Sequence, residues 1–142
     1  MKIVINDQYG GFGLSAKAVK EYLKLKGKKV FVYSMEFIKN ELYYKKVEDT
    51  RDSIFVSYFT KDIGDMINEK EINNEIFEKY AFSDKDISRT DEDLIKVVEE
   101  LGKEANTTCS TLKIIEIPDD VDWVIEEYDG NEWVAEKHRI WN

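Results

Sequence analysis

The chain has 142 residues, 42% hydrophobic and 13% aromatic, which is enough to bury a core and lies outside disordered compositions. Its 30 acidic residues against 21 basic ones give a net charge of −9, so it repels phosphate backbones and direct binding to nucleic acid is disfavoured. No apolar run approaches the roughly twenty residues of a membrane-spanning helix, so no membrane contact is expected.

Residues 2–6 open with Ile3, Val4 and Ile5, an apolar run that predicts a buried strand. Gly10, Gly11 and Gly13 follow, and Ser15 is placed to cap a helix over 15–26. Leu14 and Val19 fit a hydrophobic staple at its entry, and Gly27 fits its end. Lys29 to Ser34 predicts a second strand, and strand–helix–strand order implies a right-handed crossover with the two strands parallel. The apolar residues of 35–51 do not choose between helix and strand. A strand is expected over 54–59 and a surface helix over 66–80. The clearest second helix starts at Thr90, read as its cap, and buries Leu94, Ile95, Val97, Val98 and Leu101.

Leu112 to Ile117 predicts a strand stopped by Pro118. The stretch from Val121 to Trp141 predicts a hairpin about Asp129 and Gly130. A three-residue loop with Gly130 left-handed would set Ile125 opposite Trp133, whereas a two-residue loop would set Glu126 there. The first register gathers the apolar residues on one face and is preferred. The fold expected is α/β: one compact domain over 1–142, a mixed sheet with an N-terminal β-α-β unit and a C-terminal antiparallel hairpin.

Strand, glycine turn and capped helix together form a candidate anion cradle, because free amides converge at a positive dipole end. Gly11-Phe12-Gly13-Leu14-Ser15-Ala16 matches the dinucleotide fingerprint, with Glu36 where a ribose-binding acid would sit. Further β-α-β units are lacking, and no Gly-Lys-Ser/Thr follows to make a Walker loop. The same glycines also suit a tight turn without a ligand. Phe12 is placed either to stack on a base or to fold back on the core. Asn6 and Asp7 end the first strand at its carboxyl edge, where α/β sheets place ligands. The candidate ligand-binding set is therefore Asn6, Asp7, Gly10, Gly11, Phe12, Gly13 and Ser15, with Arg89 or Arg139 as countercharge.

His138 is the sole histidine, which argues against a histidine-based metal site, and the acidic clusters are accounted for by helix capping and hairpin solvation. No catalytic set, metal or cofactor is expected. Cys109 has no disulfide partner within the chain, and a single Lys before the first strand is no secretory signal, so a cytoplasmic setting is expected.

The runs GGFGLSAKAV, RTDEDLIKVVEELG and EIPDDVDWVIEEYDGNEWVAEKHRIW resemble a family of small phage and prophage proteins. The resemblance covers about half of the chain. It implies a phage-encoded protein acting in the cytoplasm of a bacterial host. One class of small phage proteins sequesters the nucleotide signals of host defence, usually as an oligomer, and is similar to this chain in size and acidity. Three functions follow as expectations. The first is a non-enzymatic sponge for a nucleotide-like ligand, acting as a homo-oligomer. The second is an acidic inhibitor of a host nucleic-acid-binding protein, and the third a small nucleotide-processing enzyme.

Overall fold

The computed structural model describes residues 1–48 and 56–137. In chain order the elements are β1 (Lys2–Asn6), α1 (Ala16–Leu25), β2 (Phe31–Ile38), β3 (Glu41–Lys46), β4 (Val56–Phe59) and β5 (Met66–Asn68). They continue with α2 (Asn74–Tyr80), β6 (Ala81–Phe82), α3 (Glu92–Leu101), β7 (Leu112–Glu116), β8 (Trp123–Tyr128) and β9 (Asn131–Glu136). The class is α/β, as the alternating apolar runs predict. The backbone gathers into two compact units, residues 1–22 with 85–142, and residues 23–84.

In the first unit, β1 pairs antiparallel with β7, Val4 opposite Ile114, and β8 pairs with β9. Four of the five residues of β1 are buried because α3 packs on β1 and β7, while β9 runs beside β1. Helix α3 buries Leu94, Val97 and Val98 of the stripe that its spacing predicts, while Ile95 and Leu101 are only half-buried. Its cap is Asp91 rather than Thr90: the Asp91 carboxylate accepts from the Asp93 and Leu94 amides at 2.8 and 3.3 Å. A carboxylate satisfies two first-turn donors and opposes the dipole, which a threonine hydroxyl cannot do as well. The Tyr22 hydroxyl donates to the same carboxylate at 2.8 Å. Ser15 caps α1 as expected, its Oγ accepting from the Ala18 amide at 3.2 Å.

The expected parallel pairing of the first two strands does not occur. β1 and β2 lie in different sheets, and every strand pair among the described residues is antiparallel. β2 instead meets β3 through a two-residue turn at Lys39 and Asn40, both at positive φ (51° and 67°), the mark of a tight hairpin. A hairpin this short closes at little entropic cost, whereas a crossover must order a whole helix first.

The second unit is a five-stranded sheet in the order β5-β3-β2-β4-β6. Its core joins Tyr33, Tyr44, Phe59 and Ile72. Phe59 makes edge contacts with Tyr33 at 5.4 Å and Phe77 at 5.5 Å, the geometry that aromatic quadrupoles favour. The predicted strand 54–59 is observed over Val56–Phe59, and residues 54 and 55 lie outside the described residues. The single helix expected over 66–80 is corrected to β5, a helical turn at Glu69–Glu71 and α2. Asn68 caps the turn and Asn73 caps α2, its Oδ1 accepting from Ile76 N at 2.9 Å. Two asparagine caps five residues apart divide what hydrophobic spacing alone joins.

Tyr58 lies on β4 with its ring edge-on to Phe82, and burial with Asp84 nearby pushes its phenol up to about 12. A raised folded-state pKa favours the protonated form, so this contribution is complete below about 10 and is lost as pH rises through about 12. Denaturation midpoints measured upward from neutral pH therefore hold level to about 10 and then fall. Tyr58→Phe makes that fall shallower. An equal fall in the variant would remove Tyr58 from the alkaline transition.

Candidate functional site at the glycine loop

The loop between β1 and α1 begins at Asn6, which is fully buried. Its Nδ2 donates to Gln8 O and Gly130 O, both at 2.8 Å, and its Oδ1 accepts from the Thr111 amide at 2.9 Å. Its backbone amide donates to Glu132 Oε1 at 2.8 Å. One side chain thus ties the end of β1 to the start of β7 and to the hairpin turn. Buried amide groups persist only when paired, and here both donors and the acceptor are used. Asp7 is exposed, and its amide donates to Thr111 O at 2.8 Å.

The hairpin turn faces the glycines. Gly10 N donates to Asp129 O at 2.9 Å, and Ser110 Oγ donates to Gly13 O at 2.7 Å. Ser15 N donates to Ala105 O at 2.9 Å, and Ser15 Oγ donates to Glu104 O at 2.6 Å. Two amides of the expected cradle, those of Gly10 and Ser15, are therefore committed to backbone carbonyls. Gly10 has φ of 129° and a Cβ there would lie 2.6 Å from Cys109 O, so this glycine serves close backbone approach.

Phe12 is 7% exposed, and the Arg89 guanidinium lies over its ring at 3.6 Å from the centroid. Arg89 clamps Glu132 bidentately, Nη1 to Oε1 at 2.7 Å and Nη2 to Oε2 at 2.8 Å, and Nη1 also donates to Val4 O at 3.2 Å. Glu132 is 8% exposed. Of the two orientations open to Phe12, the ring takes the inward one. The countercharge expected of Arg89 goes to an internal carboxylate. Arg139, the other expected countercharge, and His138 lie outside the described residues.

Sequence reasoning missed Glu132 because its burial depends on the hairpin register. β8 and β9 pair through the two-residue turn, Glu126 opposite Trp133, so the preferred register is corrected. Gly130 does have positive φ (85°), but Asp129 does too (50°), and two left-handed residues make the tight turn. In this register Trp123, Ile125, Glu132 and Val134 share the inner face. Val124, Tyr128 and Trp133 share the outer one, 38%, 71% and 43% exposed. Grouping apolar residues on one face chose the wrong register because Arg89 lets an acid occupy the inner face. Tyr9, at the start of the glycine loop, is 61% exposed and stands edge-on to Tyr128 at 6.5 Å. Trp133 Nε1 donates to Glu126 Oε2 at 3.1 Å.

Among the described residues no group of three His, Cys, Asp or Glu side chains is arranged to hold a metal ion. No helix among them is long and apolar enough to cross a membrane. Comparison with protein-family models, with curated proteins and with solved structures finds no match to this chain.

Proposed function

We propose that this chain is a non-enzymatic binding module that engages a basic protein surface with the outer face of its C-terminal hairpin. The observation that carries this reading is the exposure of Val124, Tyr128 and Trp133 on one face beside the carboxylates of Glu126 and Asp129. Tyrosine and tryptophan are the side chains that most often dominate interface energetics, and an acidic surround steers a cationic partner. The charge is concentrated in this unit: residues 1–22 and 85–142 hold ten basic and eighteen acidic side chains, a net of −8. Residues 23–84 hold eleven and twelve, a net of −1. A host protein that itself binds nucleic acid has a basic surface of the kind this face fits, and on this reading the module acts as an inhibitor in the bacterial cytoplasm. The test is calorimetric titration with an arginine-rich peptide and its glutamine-substituted counterpart. The basic peptide binds with an affinity that falls with salt, and Trp133→Ala weakens it by about tenfold or more. Equal affinity for both peptides would sink the reading.

A nucleotide-like ligand is the second reading, favoured by Tyr9 and Tyr128 at the rim of the glycine loop. A Cβ at Gly11 would meet nothing within 4 Å, so the backbone there is open to a flat group. A base would stack on an exposed tyrosine rather than on Phe12, and a sponge of this kind would act as a homo-oligomer. Tyr128→Ala then weakens binding of cyclic or ADP-ribose-type nucleotides by roughly 1–3 kcal/mol. No heat with any member of such a panel would remove this reading.

A further inference from the structure

Among the described residues strand β8 has a free edge. Lys137 N donates to Asp122 O at 2.8 Å, which marks 122 and 137 as a hydrogen-bonded pair at the open end of the hairpin. Counting by twos along the ladder, Val124, Glu126 and Tyr128 turn their N–H and C=O groups toward β9. Trp123, Ile125 and Glu127 turn theirs outward. Among the described residues β9 is the only strand paired with β8, so those outward groups face no ladder.

Proteins blunt such edges with lysine, proline or a bulge. β8 has none of these: its six residues pair in unbroken register and include no Lys and no Pro. What stands along it is negative charge. Glu126 and Glu127 lie on the strand, Asp120 and Asp122 precede it, Asp129 follows it, and all five are exposed. No ion pair engages Glu127 among the described residues, and Lys137 is the sole Lys or Arg in the described part of the hairpin. Like charge opposes pairing of this edge with a second copy of itself, whereas an extended cationic chain gains both a ladder and neutralisation.

We propose that the outer edge of β8 takes up an extended, lysine- or arginine-bearing segment of a partner protein as an added strand. The proposal rests on the reading of this unit as an acidic interaction module. Outward N–H and C=O groups of Trp123, Ile125 and Glu127 supply the ladder. Alternate partner side chains fall on the two faces, cations beside Glu126 on the outer one and small apolar groups beside Ile125 on the inner one.

The test uses the full chain and a fluorescently labelled decapeptide of alternating lysine and valine, read by anisotropy. Two further peptides keep the same side chains and charge but carry N-methyl groups on alternate amides, one in each phase. The unmodified peptide binds, and the N-methyl peptide whose blocked amides face β8 loses at least about tenfold in affinity, equivalent to roughly 1.4 kcal/mol. Ile125→Pro removes an outward N–H and leaves the β9 ladder intact, so it lowers affinity similarly. Should that variant unfold, the N-methyl peptides still decide. Undiminished binding of both N-methyl peptides overturns the added strand and leaves the acidic module standing. Failure of the unmodified peptide to bind overturns both. Self-association of the chain through β8, abolished by Ile125→Pro in sedimentation, would replace the basic partner with a second copy and also overturn the proposal.

Discussion

Arg89→Ala is expected to cost about 3–5 kcal/mol of stability, the range for removing one partner of a buried ion pair. The side chains of Arg89 and Glu132 are 19% and 8% exposed, so truncation strands a carboxylate with only the Asn6 amide and little water. The face of Phe12 loses its cation in the same step, an interaction worth up to about 2 kcal/mol when desolvated. Against a typical total of about 5–15 kcal/mol, one substitution removes a large share. Arg89→Lys does not restore the loss, because an ammonium cannot make two parallel bonds to Glu132 while lying flat on Phe12. Arg89→Ala combined with Glu132→Ala costs less than the sum of the two, since the second change removes the stranded charge. Urea midpoints of Arg89→Ala, Arg89→Lys, Glu132→Ala and the double variant provide the measurement. A single-variant cost below about 1 kcal/mol would mean that water reaches Glu132 and that the pair does not organise this unit.

Gly130→Ala is expected to cost about 2–5 kcal/mol, from left-handed strain of about 1–2 and overpacking of about 1–3. Gly130 has φ of 85°, and its added methyl would lie 2.6 Å from Gly10 C and 2.8 Å from Gly10 N, and closer still to Gly11 N. The obstruction is backbone, which cannot swing away as a flexible side chain would. Moving the turn to relieve it breaks the bond from Gly10 N to Asp129 O and that from Asn6 Nδ2 to Gly130 O. Gly11→Ala makes the control. Its φ of 135° is also unfavourable to a side chain, yet open space surrounds the methyl, so the cost is conformational strain of about 1–3 kcal/mol without the clash. Thermal denaturation of both variants ranks Gly130→Ala as the more damaging. The reverse order would mean that the hairpin turn is not seated against the glycine loop.

The loop itself explains why its chemistry could not be taken from its spelling. Glycines after a strand and before a capped helix are what an anion cradle requires, and they are equally what a second backbone requires in order to approach closely. Here the Asp129–Gly130 turn occupies the approach, and its residues stand more than a hundred positions away in the chain. Arg89 and Phe12 were visible as side chains of interest. Their partners were not, because pairing an arginine with Glu132 depends on which strands become neighbours.

Local rules determined what local forces control. The spacing of Ile3, Val4 and Ile5, the cap at Ser15, the buried stripe of α3 and the left-handed Gly130 all follow from the chain within a few residues of each. Backbone sterics, capping and periodicity act at that range, so a sequence carries them openly. Strand partners are another matter. β1 could satisfy its amides with any neighbour, and only the packing of α3 over β1 and β7 selects an antiparallel partner from the far end of the chain. The hairpin register was decided in the same way. Apolar grouping favoured Ile125 opposite Trp133, and a buried cation brought by another element reversed it, because paired charge can occupy a face that unpaired charge cannot.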